Sequence, residues 1–81
     1  MISKKDLDYL TEKITRRFEI ELPLEIEQFN LENEKLTIIF QNKEVVRSFE
    51  LTKGLVLEFD KENRIIGLKL DSISEYLPKN S

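Results

Sequence analysis

The sequence predicts an α+β fold: an antiparallel β-meander of about five strands, with an N-terminal amphipathic helix packed on one face and a short C-terminal helix. Two patterns predict this class. Apolar residues recur at helical spacing near the N-terminus, and apolar and polar residues alternate with a period of two after residue 24. The 81 residues, 40% hydrophobic and 36% charged, suit one hydrophobic core, so we expect a single domain over residues 1–81.

The N-terminal helix is predicted over residues 4–18. Ser3 and Asp6 have the spacing of a short acidic capping box, and Ile2 and Leu7 have the spacing of a hydrophobic staple. At about 100° per residue, the apolar side chains fall in one narrow stripe. The stripe consists of Leu7, Leu10, Ile14 and Phe18. We expect it to lie on the sheet.

Residues 19–27 alternate between acidic and apolar side chains, which predicts a strand with one solvated face. The acidic row is Glu19, Glu21, Glu25 and Glu27, and the apolar row is Ile20, Leu22, Leu24 and Ile26. Pro23 cannot donate to a sheet, so it either confines the strand to an edge or separates an entry segment from a strand that begins at Leu24. A helix that begins near Pro23 is the alternative. If the strand that begins at Leu24 is included, the antiparallel sheet is predicted over residues 24–70.

Further strands are predicted at short spacing, which favours antiparallel neighbours. They are Lys35–Gln41, Val45–Leu51, Leu55–Phe59 and Arg64–Leu70. The layer beneath the helix is expected to contain Leu36, Ile38, Phe40, Leu55, Leu57, Phe59, Ile66, Leu68 and Leu70. Ser72 and Glu75 repeat the capping-box spacing ahead of Pro78, which predicts a short helix over residues 72–77.

The composition restricts the chemistry. Cys, His and Trp are absent, which removes disulfides, thiol nucleophiles, the usual zinc ligands and the side chain that most readily transfers protons near neutral pH. Two of the carboxylates Asp60, Glu62 and Asp71 are conceivable as an acid–base pair across the last hairpin, but all three lie in or beside predicted turns, which favours turn and cap roles. We therefore expect no catalytic site, cofactor or metal, and a protein that is not an enzyme.

Charge and hydropathy bear on partners and location. The net charge of −3 provides no overall basic field for nucleic acid or anionic lipid. The apolar runs are far shorter than a membrane span, and no run at the N-terminus has the length of a signal peptide. We expect a cytoplasmic protein that has no membrane partner.

Residues 57–70, LEFDKENRIIGLKL, resemble the hairpin of a small family known as domain of unknown function 2283. That hairpin has a strand ending in an aromatic residue and Asp, an acidic turn, Gly-Arg, two aliphatic residues, Gly and an alternating strand. Asp60 would begin the turn, Asn63 would take a left-handed conformation where the family tends to use Gly, and Gly67 would allow close backbone approach.

Residues 29–40 resemble the opening of the same family, an aromatic-Asp turn followed by a strand, so the resemblance covers roughly residues 29–77. Asn30 and Glu34 stand where the family tends to have Asp, and Thr37 replaces a usual Tyr. The resemblance implies a small β-rich domain with a helix and brings no catalytic residues. Some relatives look like partners of small toxin genes, which implies an antitoxin-like role.

Two predicted surfaces are candidate contact sites. The first, the basic helix face, consists of Lys5, Tyr9, Lys13 and Arg16, opposite the apolar stripe of the helix. Cations around an aromatic ring suit phosphate contact with base stacking, although a solvated helix face is the simpler interpretation. The second is the acidic row of residues 19–27, which would dock a basic partner or protect an edge strand from aggregation.

Two functional classes follow. The favoured one is a protein-interaction module, antitoxin-like or self-associating as a homodimer through a sheet edge, because burying an edge would supplement the limited stability of a small core. The alternative is a nucleic-acid-binding module that uses the basic helix face.

Overall fold

The computed structural model describes residues 2–77 and has the predicted α+β class. It contains the helix α1 (Lys4–Phe18), the strands β1 (Gln28–Glu32), β2 (Lys35–Ile39), β3 (Arg47–Thr52), β4 (Leu55–Phe59) and β5 (Ile65–Leu70), and a 3₁₀ turn (Ile73–Glu75). All strand pairs are antiparallel. The predicted five-stranded sheet with one leading helix is therefore confirmed.

The strand order across the sheet is β1-β2-β5-β4-β3. Three hairpins join neighbouring strands, whereas residues 40–46 carry the chain from β2 across one end of the sheet to β3 at the far edge. The last strand, β5, fills the place between β2 and β4. Both β1 and β3 are edge strands, each with one hydrogen-bonded neighbour.

Helix α1 begins and ends as its local signals require. The Ser3 Oγ accepts a hydrogen bond from the Asp6 N–H at 3.2 Å, and the Asp6 carboxylate accepts one from the Ser3 N–H at 3.1 Å. Glu19 ends the helix in a left-handed conformation, with φ of 53°. The predicted helix over residues 4–18 and its capping box are confirmed. No helix within residues 2–77 is long and apolar enough to cross a membrane.

The core lies between α1 and the central strands. Leu7, Leu10 and Ile14 of the helix are buried against the inward side chains of the sheet. Those side chains are Leu36, Ile38, Phe40, Leu55, Leu57, Leu68 and Leu70. Period-two alternation on the strands and the helical stripe thus produce the same buried layer that the sequence predicts.

The prediction is wrong for one member of that layer, Ile66. Between β4 and β5 the register shifts, so that Gly67 pairs with Glu58 but Ile65 pairs with Phe59. Ile66 is the extra residue of this bulge. The bulge shifts by one position the residues of β5 that point to the helix-covered face. Ile65 therefore packs against the core in its place, while Ile66 is buried outside the core cluster.

The strand predicted within residues 19–27 is also wrong, and so is the alternative helix: this segment is irregular, and the sheet begins at Gln28 instead of residue 24. Pro23 has no N–H for a ladder, and the left-handed Glu19 turns the chain away from the helix axis. Ile20, Leu22 and Ile26 still pack against the edge of the core, which explains the alternation. The fourth apolar residue of the row, Leu24, is 97% exposed.

Strand β1 was not predicted. The family resemblance indicated a turn near Phe29, but the chain is extended there and turns at Asn33, which has φ of 61°. Phe29 pairs with Ile38 and Leu31 pairs with Leu36, so both point to the helix-covered face. Phe29 and Leu31 alternate with polar residues as in a strand, but two apolar residues are too short a run to single it out.

The predicted C-terminal helix is a single 3₁₀ turn, and the predicted capping box does not form. The Ser72 hydroxyl instead donates to a carboxylate oxygen of Glu34 at 3.1 Å, and the Ile73 N–H donates to the Glu34 carbonyl at 3.1 Å. These bonds fasten the C-terminal turn to the β1–β2 turn. Pro78, which the sequence assigned to the end of this helix, lies outside the described residues.

Candidate functional site

Asp60, at the turn between β4 and β5, is a charged residue that is only 4% exposed. Its Oδ1 accepts hydrogen bonds from the N–H groups of Glu62 and Arg64, each at 2.9 Å, and Asn63 takes the predicted left-handed conformation, with φ of 64°. The bond from Arg64, helped by that from Glu62 and by the charge of Lys43, outweighs burial and lowers the pKa of Asp60. Asp60 is therefore ionised at neutral pH and closes the turn.

Lys43 connects the β2–β3 crossing to this turn. Its Nζ lies 3.7 Å from the Asp60 Oδ2, a buried atom with no hydrogen bond within residues 2–77. At the other end of β4, the Asp71 N–H donates to the Gly54 carbonyl at 2.8 Å. Asp60 and Asp71 thus lie about 20 Å apart, the length of β4 and its flanking residues. They cannot form the acid–base pair considered from the sequence.

The described chain, residues 2–77, contains no group of three or more Asp, Glu, His or Cys side chains placed to hold a metal ion. The other candidate sites are surfaces, which differ in charge and exposure.

The basic helix face lies on one side of α1, as predicted. Tyr9 is exposed, and the Lys13 Nζ lies 5.8 Å from the centre of its ring. Arg16 forms an ion pair with Glu12, one turn earlier on the helix. Two of the cations of this face are thus already engaged by neighbouring side chains, and a phosphate would have to compete with those contacts.

The acidic residues of segment 19–27 are all exposed, but they do not form the straight row expected of a strand. Glu19 caps the helix, and the Glu27 carboxylate accepts a hydrogen bond from the Asn42 N–H at 3.1 Å. Glu21 lies beside α1. Glu25 follows the exposed Leu24.

Glu21 lines an open groove of about 510 Å³ together with two acidic residues of the helix. We call this surface the acidic groove; its lining includes Asp8, Glu12, Glu21, Leu22, Pro23 and Leu24. Asp8 and Glu12 are four residues apart, so they lie on one side of the helix. The sequence did not show that the chain folds back after Glu19 and brings Glu21 next to them.

The open edge of β3 carries exposed apolar side chains that the sequence did not single out. Val45 and Val46 precede the strand, and Phe49 lies within it; Val46 is 54% and Phe49 is 49% exposed. Phe49 pairs with Leu57, so it lies on the helix-covered face but at the rim of that layer. We call these three residues the β3 edge strip.

Arg47, a charged residue on this edge strand that would oppose pairing with another strand, folds back onto its own sheet. The Arg47 guanidinium lies 4.1 Å from the centre of the Phe59 ring and donates a hydrogen bond to the Asn63 side chain. Every residue from 41 to 50 is exposed. The two adjacent valines were the available signal, because period-two alternation would place them on opposite faces and so leave one apolar side chain on the solvent face.

A family model described as Protein of unknown function (DUF2283) matches residues 31–74, which is more than half of the chain. The chain belongs to the DUF2283 family. The resemblance of residues 57–70 to this family is thereby confirmed. No match was found among curated proteins or among solved structures.

Within this DUF2283 chain, the family match includes β2 to β5, and with them the β3 edge strip and the Asp60 turn. Helix α1, the basic helix face and the acidic groove all precede the matched residues. The exposed edge of β3 is therefore built by the family segment itself, and the other two surfaces are built by the residues in front of it.

Proposed function

We propose that this DUF2283 chain is a self-associating protein-interaction module, in which two copies pair their β3 edges antiparallel into one continuous sheet. The proposal is carried by the β3 edge strip, since an edge strand with exposed apolar side chains is a template for pairing with another strand. Val46 and Phe49 are each about half exposed in the single chain. A second copy would cover them.

The symmetry of such a pair suits the chemistry of this edge. Two antiparallel strands related by a two-fold axis place opposite residues on the same face of the joined sheet. Phe49 of each copy would then lie on the helix-covered face close to the axis, where the two rings can pack together. The register irregularity between Glu50 and Thr52 limits the pairing to the first part of β3.

The charges along the edge permit this contact. Glu44, Arg47 and Glu50 alternate in sign, so no block of like charge opposes a second copy. Arg47 is also held against Phe59 in its own chain. Because a core of this size supplies limited stability, burying the strip would stabilise each copy as well as join them.

The test is the mass of the purified chain by light scattering, from micromolar to millimolar concentration. We expect a dimer, which Val46→Lys and Phe49→Lys convert to a monomer. Phe29→Lys is the matched control, because Phe29 has the equivalent position on the other edge strand and is 42% exposed. A monomeric parent at all concentrations, or a dimer that survives both β3 substitutions, would refute the proposal; circular dichroism verifies that each variant is folded.

The antitoxin-like role implied by the family resemblance would require a different protein as partner. The β3 edge strip provides no charge that selects one. The acidic groove carries such a charge.

A further inference from the structure

Leu24 stands between two clefts. On one side is the acidic groove, and on the other is an open cleft of about 510 Å³ lined in part by Glu25, Ile26, Glu27 and Phe40. Leu24 is 97% exposed, whereas its neighbours Leu22 and Ile26 pack partly against the core. A fully exposed leucine flanked by two clefts is an apolar contact point outside the core.

The charged residues that line these clefts all have the same sign. Asp8, Glu12 and Glu21 line the first, Glu25 and Glu27 line the second, and no Lys or Arg lines either one. The chain as a whole has 13 basic against 16 acidic residues, so this separation of charge is local. Adjoining clefts that are lined by one sign of charge and have low-dielectric protein walls attract ligands of the opposite sign.

We propose that this surface binds a basic peptide segment, in which Lys or Arg side chains flank an apolar side chain that contacts Leu24. The carboxylates are spread along two clefts instead of converging on a point, which suits cations spaced along a peptide more than a single metal ion. The same charges repel nucleic acid. This surface shares no residue with the β3 edge strip, so the inference does not depend on the proposed homodimer.

The carboxylates differ in how available they are. Glu12 is paired with Arg16, and the Glu27 carboxylate accepts the Asn42 N–H, so a partner cation would compete at both. Asp8, Glu21 and Glu25 have no ion pair within residues 2–77. Glu21 and Glu25 stand on either side of Leu24 in the sequence, and we assign them the main electrostatic contacts.

Fluorescence anisotropy with a labelled peptide of alternating Lys and Leu tests this inference on the full chain. We expect binding at low salt that weakens at least about tenfold on going to high salt, because exposed ion pairs are screened. A peptide with Glu in place of Lys, and one with Ser in place of Leu, should each bind at least about tenfold more weakly.

Matched variants distinguish a specific peptide-binding site from general electrostatic attraction to an acidic protein. Glu21→Lys should weaken binding about tenfold, and Leu24→Ser should weaken it without unfolding the protein, because Leu24 is exposed. Glu75→Lys changes the net charge by the same amount at an exposed residue outside both clefts and should change binding less than about twofold. Absence of binding at low salt, or equal losses in Glu21→Lys and Glu75→Lys, would overturn the inference. The monomeric Phe49→Lys variant should bind as the parent does.

Discussion

A Cβ atom on Gly67 would lie 2.6 Å from the Oε1 of Glu58 on the neighbouring strand. The Glu58 side chain occupies the space above Gly67 at the centre of the sheet, and its carboxylate lies 3.5 Å from the Lys69 Nζ. The sequence predicted that Gly67 would allow close backbone approach; the atom that lies closest to the position of its missing Cβ is instead a side-chain oxygen.

Gly67→Ala should destabilise the parent chain by about 0.5–1 kcal/mol, because the Glu58 carboxylate must move away from Lys69 to make room for the new Cβ. Urea unfolding measures the change. In a Glu58→Ala background the carboxylate is gone and alanine restricts the unfolded chain more than glycine, so the same substitution should be neutral or stabilising. Equal costs in both backgrounds would show that Glu58 is not the obstacle.

The lowered pKa of Asp60 predicts a specific acid sensitivity. The folded state holds this proton less tightly than the unfolded state, whose ordinary value is 3.8. The contribution of Asp60 to stability is therefore fully present above about pH 4 and is lost as the pH falls through the lower, folded pKa. Asp60→Asn keeps an oxygen that accepts the two backbone bonds but cannot titrate.

Thermal unfolding between pH 7 and pH 2 measures this effect. Asp60→Asn should flatten the loss of stability below pH 4. Lys43→Gln should flatten it only in part, because the backbone hydrogen bond from Arg64 lowers the pKa of Asp60 more than the charge of Lys43 does. If Lys43→Gln flattened the profile as much as Asp60→Asn, the ion pair would have to outweigh the backbone bonds of the turn.

The elements that could be predicted are those set by residues close together in the chain. The capping residues Ser3 and Asp6 fix the start of α1, and the turn residues Asp60 and Asn63 fix the last hairpin, so both were predictable. Such interactions span only a few residues. Their geometry is encoded in their spacing.

The rest depends on contacts between distant segments. Strand β3 is an edge only because β5 lies between β2 and β4, and no local pattern records that order. The acidic groove requires Glu21 to return to Asp8 and Glu12 after the chain reverses at Glu19. The sequence therefore could indicate which acidic and apolar residues are candidates, but it could not indicate which of them come together on one surface of the folded chain.

Two leucines provide a test of which apolar residues support the fold. Leu10 is fully buried in the core, whereas Leu24 is almost fully exposed. Leu10→Ala should lower the free energy of unfolding by about 2–5 kcal/mol, which is much of the stability of a domain of this size. Leu24→Ala should change it by less than about 0.5 kcal/mol. Urea unfolding of both variants compares them directly, and a large loss in Leu24→Ala would mean that this side chain is buried in solution.

The C-cap of α1 offers a stabilising substitution. Glu19 has a left-handed φ of 53°, a conformation in which a side chain costs energy and which glycine adopts freely. Glu19→Gly should therefore raise the free energy of unfolding by about 0.5–1 kcal/mol, as measured in urea. Glu21→Gly is the control: Glu21 does not have a positive φ, so glycine there should only loosen the unfolded chain and lower stability. If both substitutions lowered stability alike, the left-handed cap would not be strained, and the Glu19 side chain would contribute to the helix end in some other way.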